Sequence, residues 1–97
     1  MDNPLNEDSW VWVMIQNPGE NEQLLGQIEE ETDTSFIPTF VGKEEALKCY
    51  GLLARENNIK YEAQAIIYED LVNHASNNGF MIFLLDSEGK ILKKIKP

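Results

Sequence analysis

Asp70 and His74 are the residues of this sequence whose types and spacing come closest to an acid–base pair. They are four residues apart, so on a helix they share one face, where the carboxylate could orient the imidazole as a general base. Such a pair also needs a nucleophile, and Cys49 and Ser76 are the candidates. A helical Asp–His pair is more often a surface ion pair, and Cys49 lies beside an apolar helical stripe, as a core cysteine does. We therefore predict no enzyme, and keep as the alternative a small-ligand binder or enzyme that uses Asp70 and His74.

The stretch VGKEEA at residues 41–46 places a glycine and a lysine where an apolar segment gives way to a helix. A phosphate-binding loop has them in the pattern GxxxxGK[ST], with free backbone amides and a hydroxyl for magnesium. Here Ile37 stands at the first glycine position, Glu44 stands at the hydroxyl position, and Pro38 removes one amide. A carboxylate at that turn would repel phosphate, so we predict a glycine-capped helix with an acidic first turn and no nucleotide.

Metal-binding patterns are weak. One cysteine and one histidine do not make a zinc site. The segment 86–89, DSEG, shares only a fragment of the calcium-loop pattern. The acidic run over residues 29–33 could attract calcium weakly, but such a run is more typical of a solvated turn. We predict no metal and no cofactor.

The net charge of −9 is unevenly distributed along the chain. Residues 1–42 contain nine acids and no lysine, arginine or histidine, whereas residues 43–97 contain eight acids and eight lysines or arginines. An acidic chain repels phosphate backbones, so we predict no nucleic-acid partner. Four lysines in the last eight residues could pair with acids elsewhere in the fold.

The length of 97 residues suits one domain, and the single cysteine fits a reducing compartment. The N-terminal residues are acidic where a signal peptide is basic. The longest apolar run, FMIFLL at 80–85, is far shorter than the ~20 residues of a membrane span. These features predict a cytoplasmic protein that does not enter a membrane.

Hydrophobic periodicity predicts a flexible acidic leader over residues 1–9 and a single α/β (α+β) domain over residues 10–97, with a mixed sheet of five to six strands. The predicted elements, in the order βββαβαββ, are strands at 10–16, 23–28 and 35–41, a helix at 43–57, a strand at 61–67, a helix at 68–78, and strands at 80–85 and 91–95. Pro38 cannot donate a ladder hydrogen bond, so its strand is predicted to lie at an edge or to contain a bulge. Gly79 is predicted to cap the second helix in the left-handed conformation.

Three stretches, WVWVMIQNP, FIPTFVGKEEA and GFMIFLLDSEGKI, resemble the small SseB-like α/β domains (the enhanced serine sensitivity protein B family) and related uncharacterised bacterial domains. The likeness consists of an apolar strand, an FxPxF strand followed by a helix that begins with EEA, and a late apolar strand that ends in a DxxG turn. The matching positions are Phe36, Pro38, Phe40, Glu44, Glu45, Ala46, Asp86 and Gly89. The resemblance implies a small bacterial α/β domain and names no reaction and no catalytic residue.

Two of the predicted strands are apolar on both faces, which two short helices are expected to cover on one side only. In the first strand, Trp10, Trp12 and Met14 alternate with the set Val11, Val13 and Ile15. The second face is either covered by the N-terminal residues, a loop or the last hairpin, or exposed as an interface. Tryptophan and methionine are enriched in interfaces.

The predicted function is therefore a non-enzymatic protein-interaction module that works as a homodimer or as an adaptor for another protein. Its contact residues are predicted to be the apolar set Trp10, Trp12 and Met14. The acids Glu29, Glu30 and Glu31 are predicted to form a rim that selects a partner of basic character.

Overall fold

A computed structural model describes residues 9–52 and 58–97. In chain order its elements are β1 (Trp10–Gln16), β2 (Gln23–Leu24), β3 (Gln27–Glu29), β4 (Thr34–Thr39), α1 (Lys43–Cys49), a 3₁₀ helix (Tyr50–Leu52), β5 (Tyr61–Ile67), α2 (Tyr68–Asn78), β6 (Met81–Leu85) and β7 (Ile91–Ile95). The described residues thus form one compact α+β domain with two α-helices and seven strands, which confirms the predicted fold class. The predicted leader over residues 1–9, apart from Ser9, and residues 53–57 of the predicted first helix lie outside the described residues.

The strands form two sheets, ordered β2–β1–β5 and β3–β4–β6–β7. A bridge between Trp12 and Phe40 joins them, with two backbone N–H to C=O hydrogen bonds of 2.8 and 2.9 Å. The pairs are antiparallel except that between β4 and β6, which runs parallel with Phe36 level with Met81. The two sheets are therefore joined into one mixed arrangement in which β1 and β4 are neighbours.

Pro38 lies in an internal strand, so the prediction of an edge strand is wrong. On one side β4 pairs with β6, and on the other it pairs first with β3 and then bridges to β1. The N–H and C=O of Phe40 both bond Trp12, and alternate residues of a strand face the same neighbour. Pro38 therefore faces the β3 and β1 side, between the last β3 pair at Phe36 and the bridge at Phe40. The N–H that proline lacks would lie at the point where the neighbouring strand changes from β3 to β1.

The predicted second strand is divided into β2 and β3 at Leu25 and Gly26. β2 pairs with β1 and β3 pairs with β4, so the segment passes from one neighbour to the other. A Cβ on Gly26 would lie 2.8 Å from the ring of Phe80, so the backbone runs directly against that ring. The chain bends at this close contact, which only glycine permits without a shift of Phe80.

Each face of the sheet carries one helix, so the expectation that both helices cover one face is wrong. On one side α2 packs against the strands. Their shared apolar cluster, the α2-side core, consists of Val11, Val13, Ile15, Ile37, Tyr68, Leu71, Ala75 and Ile82. On the other side α1 forms the α1-side core, which consists of Met14, Leu25, Phe40, Ala46, Cys49, Phe83 and Leu85. Strand alternation accounts for this division, because odd and even positions of β1 point to opposite faces.

The second helix has the predicted bounds. Its buried residues Tyr68, Leu71 and Ala75 recur at three- and four-residue spacing, so one stripe faces the sheet. Gly79 ends it in the left-handed conformation with φ +74°, as predicted. The first helix is shorter, because α1 ends at Cys49 and the 3₁₀ helix continues to Leu52. Within the described part of the chain, no helix is long and apolar enough to cross a lipid bilayer.

Candidate functional site

The three apolar residues predicted to form an interface have very different exposures. Trp10, Trp12 and Met14 point to the α1 side of β1, because alternate residues of a strand share a face. On this side helix α1 lies over β1 and β5, and its residues Ala46 and Cys49 meet Met14 in the α1-side core. Met14 is therefore only 2% exposed, Trp12 is half-buried, and Trp10 is 62% exposed. Met14 belongs to the core, and the tryptophans are the residues of this set that reach the surface.

Strand β5 extends this surface with small side chains. Ala65 is level with Trp12, and Ala63 is level with Met14, so both alanines lie on the same face as the tryptophans. Ala65 is exposed and Ala63 is half-buried. Leu47 of α1 is also exposed, and it lies across a cleft from Ala63. We refer to Trp10, Trp12, Leu47, Ala63 and Ala65 as the tryptophan face.

An open cleft of about 270 Å³ separates α1 from β5 beside the tryptophan face. Leu47, Tyr50 and Tyr61 contribute to its lining, with the two tyrosine rings 5.9 Å apart between centroids. Lys43 brings a positive charge to the cleft. Glu62 also lines it, but its carboxylate accepts a hydrogen bond from Gln64 on the other face of β5. The Nζ atom of Lys43 also lies 5.8 Å from the centroid of the Trp12 ring, within the range of a cation–π contact. The cleft is thus mainly apolar and aromatic.

The acidic residues predicted as a rim do not surround the tryptophans. Glu30 and Glu31 are exposed in the turn that precedes the start of β4, whereas Trp12 bridges to Phe40 just after its end. A six-residue strand spans about 20 Å at 3.3 Å per residue, so β4 separates the two groups by roughly that length. The structure therefore does not bring the acids and the tryptophans together in one patch.

Glu29 differs from the other two acids because it already has a partner inside the fold. Its carboxylate accepts hydrogen bonds from Thr32 Oγ1 at 2.7 Å and from Lys94 Nζ at 2.9 Å. The hydrogen bond from Thr32, followed by that from Lys94, lowers the pKa of Glu29 below its usual value. At least one lysine near the C-terminus therefore pairs with an N-terminal acid, as the charge distribution suggested.

Asp70 and His74 lie on the exposed side of α2. In residues 9–52 and 58–97 no ion pair or hydrogen bond between their side chains is found, and neither residue lines the cleft beside the tryptophan face. The candidate nucleophile Cys49 is buried on the opposite side of the sheet, in the α1-side core. The enzyme or ligand-binding alternative stays a prediction, and the described residues do not bring Asp70, His74 and Cys49 together.

The glycine at the start of α1 lies against a carboxylate. A Cβ on Gly42 would lie 2.5 Å from Oε1 of Glu45, so this acidic side chain folds back over the glycine. A bound phosphate would occupy this same space, beside the first backbone amides of α1, which the Glu45 carboxylate already occupies. Three-residue groups of His, Cys, Asp or Glu that could hold a metal ion are absent from the described part of the chain.

A second cleft, of about 300 Å³, lies above Cys49 between the 3₁₀ helix and the β6–β7 turn. It is lined in part by Ile28, Leu52 and Ile91, which are all exposed apolar residues. Sequence reasoning missed this surface because each of the three residues was assigned only to its own strand or helix. The ILKKI pattern of β7 could have suggested it. The lysines indicate a strand in contact with solvent, so Ile91 of the same strand could be expected at the surface.

Cys49 is expected to react slowly with thiol reagents. It is fully buried, and burial, followed by the negative charge of Asp86, raises the pKa of its thiol. Fewer thiolates are therefore present at neutral pH, and the reagent must also reach the core. We expect alkylation by iodoacetamide at pH 7.5 to be at least ~10-fold slower in the folded protein than in urea. Equal rates under both conditions would show that the thiol is accessible, and a small-molecule thiol in the same buffers corrects for the effect of urea.

No protein-family model, curated protein or solved structure matches this chain. The tryptophan face is therefore defined by the residues of this chain alone. Its distinguishing feature is a large aromatic ring, Trp10, that is held on a regular strand and left 62% exposed.

Proposed function

We propose that the protein is a non-enzymatic protein-interaction module whose binding surface is the tryptophan face. The exposure of Trp10 on a seven-residue strand is the observation that supports this most directly. Tryptophan is mostly buried in folded proteins, and an exposed one among other apolar side chains is typical of an interface. The module acts as a homodimer or as an adaptor for another protein.

The surface has the properties of a preorganised binding site. Trp10 lies on a strand, so the position of its backbone is fixed by the hydrogen bonds of the β1–β5 ladder. A partner therefore loses little additional conformational freedom when it packs against the ring. Ala65 and Leu47 add apolar area beside the tryptophans, and the small side chain of Ala65 leaves room for a partner's side chain.

Charge has a different role in this proposal from the apolar contact. Lys43 at the cleft can pair with a negative charge of a partner. Glu30 and Glu31 are about a strand length away, so they act through the field of the acidic chain and favour a partner of basic character. Glu29 contributes less to that field, because Lys94 compensates its charge.

Two further assignments belong to the same proposal. A cytoplasmic location fits the single cysteine, which is buried and free. The three sequence motifs support membership of the SseB-like group. They lie in β1, in β4 with the start of α1, and in β6 with the turn after it.

Replacing Trp10 by alanine is expected to weaken binding by ~30-fold or more while the fold is retained. A ring at the centre of an interface commonly contributes at least ~2 kcal/mol, which corresponds to that factor. The folded chain loses little, because most of the ring contacts solvent. A partner obtained by pull-down with the wild-type protein would be titrated by calorimetry, and self-association would be followed by analytical ultracentrifugation.

The matched control for this experiment is Leu92→Ala. Leu92 is also an exposed apolar residue, but it lies on β7, at the opposite end of the joined sheets from β5. We expect Leu92→Ala to bind like the wild-type protein. Binding of Trp10→Ala with unchanged affinity, both to itself and to any captured partner, would contradict the proposed function.

A further inference from the structure

Strand β5 is an edge strand without the features that usually prevent edge-to-edge pairing. Among the described residues it ends the sheet β2–β1–β5, and it is seven residues long with Glu62 as its one charged residue. The other edges are blunted, because β2 and β3 have only two and three residues and β7 carries Lys93 and Lys94. Long edge strands that are neither charged nor interrupted are templates for another strand.

The backbone hydrogen bonds show which residues of β5 face this open edge. The N–H of Asn17 donates to the carbonyl of Lys60, and the N–H of Tyr68 donates to the carbonyl of Ser9, both at 2.8 Å. Because alternate residues of a strand face the same neighbour, the even-numbered residues of β5 face β1. Ala63, Ala65 and Ile67 therefore direct their N–H and C=O groups away from β1, and the described residues place no strand there.

We propose that β5 pairs antiparallel with β5 of a second copy of this chain, around a twofold axis at Gln64. This inference rests on the proposed function and places a second copy at the β5 edge of the tryptophan face, while the ring of Trp10, one strand away on β1, lies outside the pairing. Gln64 is the midpoint of β5 and lies between Ala63 and Ala65, whose outward N–H and C=O groups this register pairs. Ala63 then exchanges hydrogen bonds with Ala65 of the second copy, and the reverse holds by symmetry.

In this register the charges on the two paired strands do not oppose one another. Glu62 lies opposite the second copy's Ile66, so the charged residue of each strand does not face its own equivalent. Lys60 lies at the level of the second copy's Tyr68, next to Glu69, which begins the exposed side of α2. Opposite charges therefore meet at each end of the paired strands. Exposed charges are screened over about 8 Å at physiological salt, so the net charge of −9 opposes the pairing only weakly.

The side chains on the tryptophan face also match across the proposed axis. Trp12 is level with Ala65 of its own chain, which is opposite the second copy's Ala63, and that residue is level with Met14. Large, small, small and large apolar side chains thus follow one another across the two β5 strands. Pairing covers the exposed Ala65 and extends the apolar surface around Trp12 continuously into the second copy.

The register is tested by cross-linking. At the axis two Gln64 residues form a non-hydrogen-bonded pair with a Cα–Cα distance of about 4.5 Å, within the range of a disulfide. Gln64→Cys is therefore expected to give a covalent dimer under mild oxidation. Glu62→Cys is the matched control, because its equivalents lie four residues apart along the paired strands, about 13 Å, and should not cross-link. The wild-type protein, with buried Cys49 alone, should not cross-link either.

The pairing itself is tested by the mass in solution. Light scattering is expected to give twice the chain mass for the wild type and for Ala65→Ser, and the monomer mass for Ala65→Pro. Proline removes the outward N–H of residue 65 and leaves the ladder with β1 intact, which circular dichroism would verify. A monomeric wild type at 100 μM, a dimeric Ala65→Pro, or cross-linking through residue 62 in preference to residue 64 would each overturn the inference. The proposed function would still stand if a different protein bound a monomeric wild type and lost affinity with Trp10→Ala.

Discussion

Replacing Phe83 by alanine is expected to lower the free energy of unfolding by about 3–5 kcal/mol. Phe83 is fully buried in β6, and its ring stacks on that of Phe36 with a centroid distance of 4.2 Å and an angle of 12°. The substitution removes this stack and leaves a cavity in the α1-side core, because strands on both sides of β6 restrict collapse around it. Domains of this size have a total stability of about 5–15 kcal/mol, so the variant is expected to be close to unfolding.

Urea denaturation followed by far-ultraviolet circular dichroism measures this effect. Trp10→Ala is the matched control, since it also deletes a large aromatic ring from a strand but at a site that is 62% exposed. We expect the control to cost less than ~1 kcal/mol. A loss below ~1 kcal/mol for Phe83→Ala would contradict the position of β6 at the centre of the fold.

The second large effect is expected for Leu71→Ala, at about 2–5 kcal/mol. Leu71 is fully buried on α2 and belongs to the α2-side core, where it packs with Val11, Val13 and Ile82. The loss would show that α2 holds a separate apolar layer on the face of the sheet opposite Phe83. Thermal and urea unfolding of the purified variant provide the measurement.

Leu47→Ala is the matched control for Leu71→Ala, because it makes the same change on the other helix at a site that is 54% exposed. A cost of a few tenths of a kcal/mol is expected there. If Leu47→Ala were as destabilising as Leu71→Ala, Leu47 would have to be buried, and it could not belong to the tryptophan face.

Much of the fold follows from local signals in the sequence. The bounds of β1, β5 and α2 agree with the predicted ranges, because alternation, helical spacing and the capping Gly79 act within one element. The division of the second strand could not be predicted in this way. It depends on the contact of Gly26 with Phe80, which is 54 positions away in the chain.

The arrangement of the helices could not be predicted either. Periodicity shows which side of a helix is apolar, but it does not show which face of a sheet that side covers. The same limit applies to Pro38, whose lack of an N–H is compatible with an internal strand when two different strands share the neighbouring side. The exposure of Trp10 and the burial of Met14 follow from the position of α1, so the alternation of β1 alone could not distinguish them.

The candidate site was predictable only in part. The tryptophans could be assigned to one strand face from their spacing, whereas the contribution of Ala63 and Ala65 required the register between β1 and β5. The acids could be recognised as a cluster, but their separation from Trp12 depends on the direction of β4. Contacts between distant parts of the chain therefore decide what the surface presents.

The parallel pairing of β4 with β6 has a consequence for how the chain folds. Phe36 is level with Met81, so the two strands that form the centre of one sheet are 45 positions apart in the chain. The entropy of closing so long a loop must be overcome before these contacts stabilise the chain, which makes this pairing a slow step relative to α2 or the β6–β7 hairpin. Until it is complete, MIFLL of β6 has no partner on its β4 side, and it is an uncharged segment of high strand propensity. Refolding at high concentration and synthesis at high rate therefore expose the chain to aggregation through β6 rather than through its acidic turns.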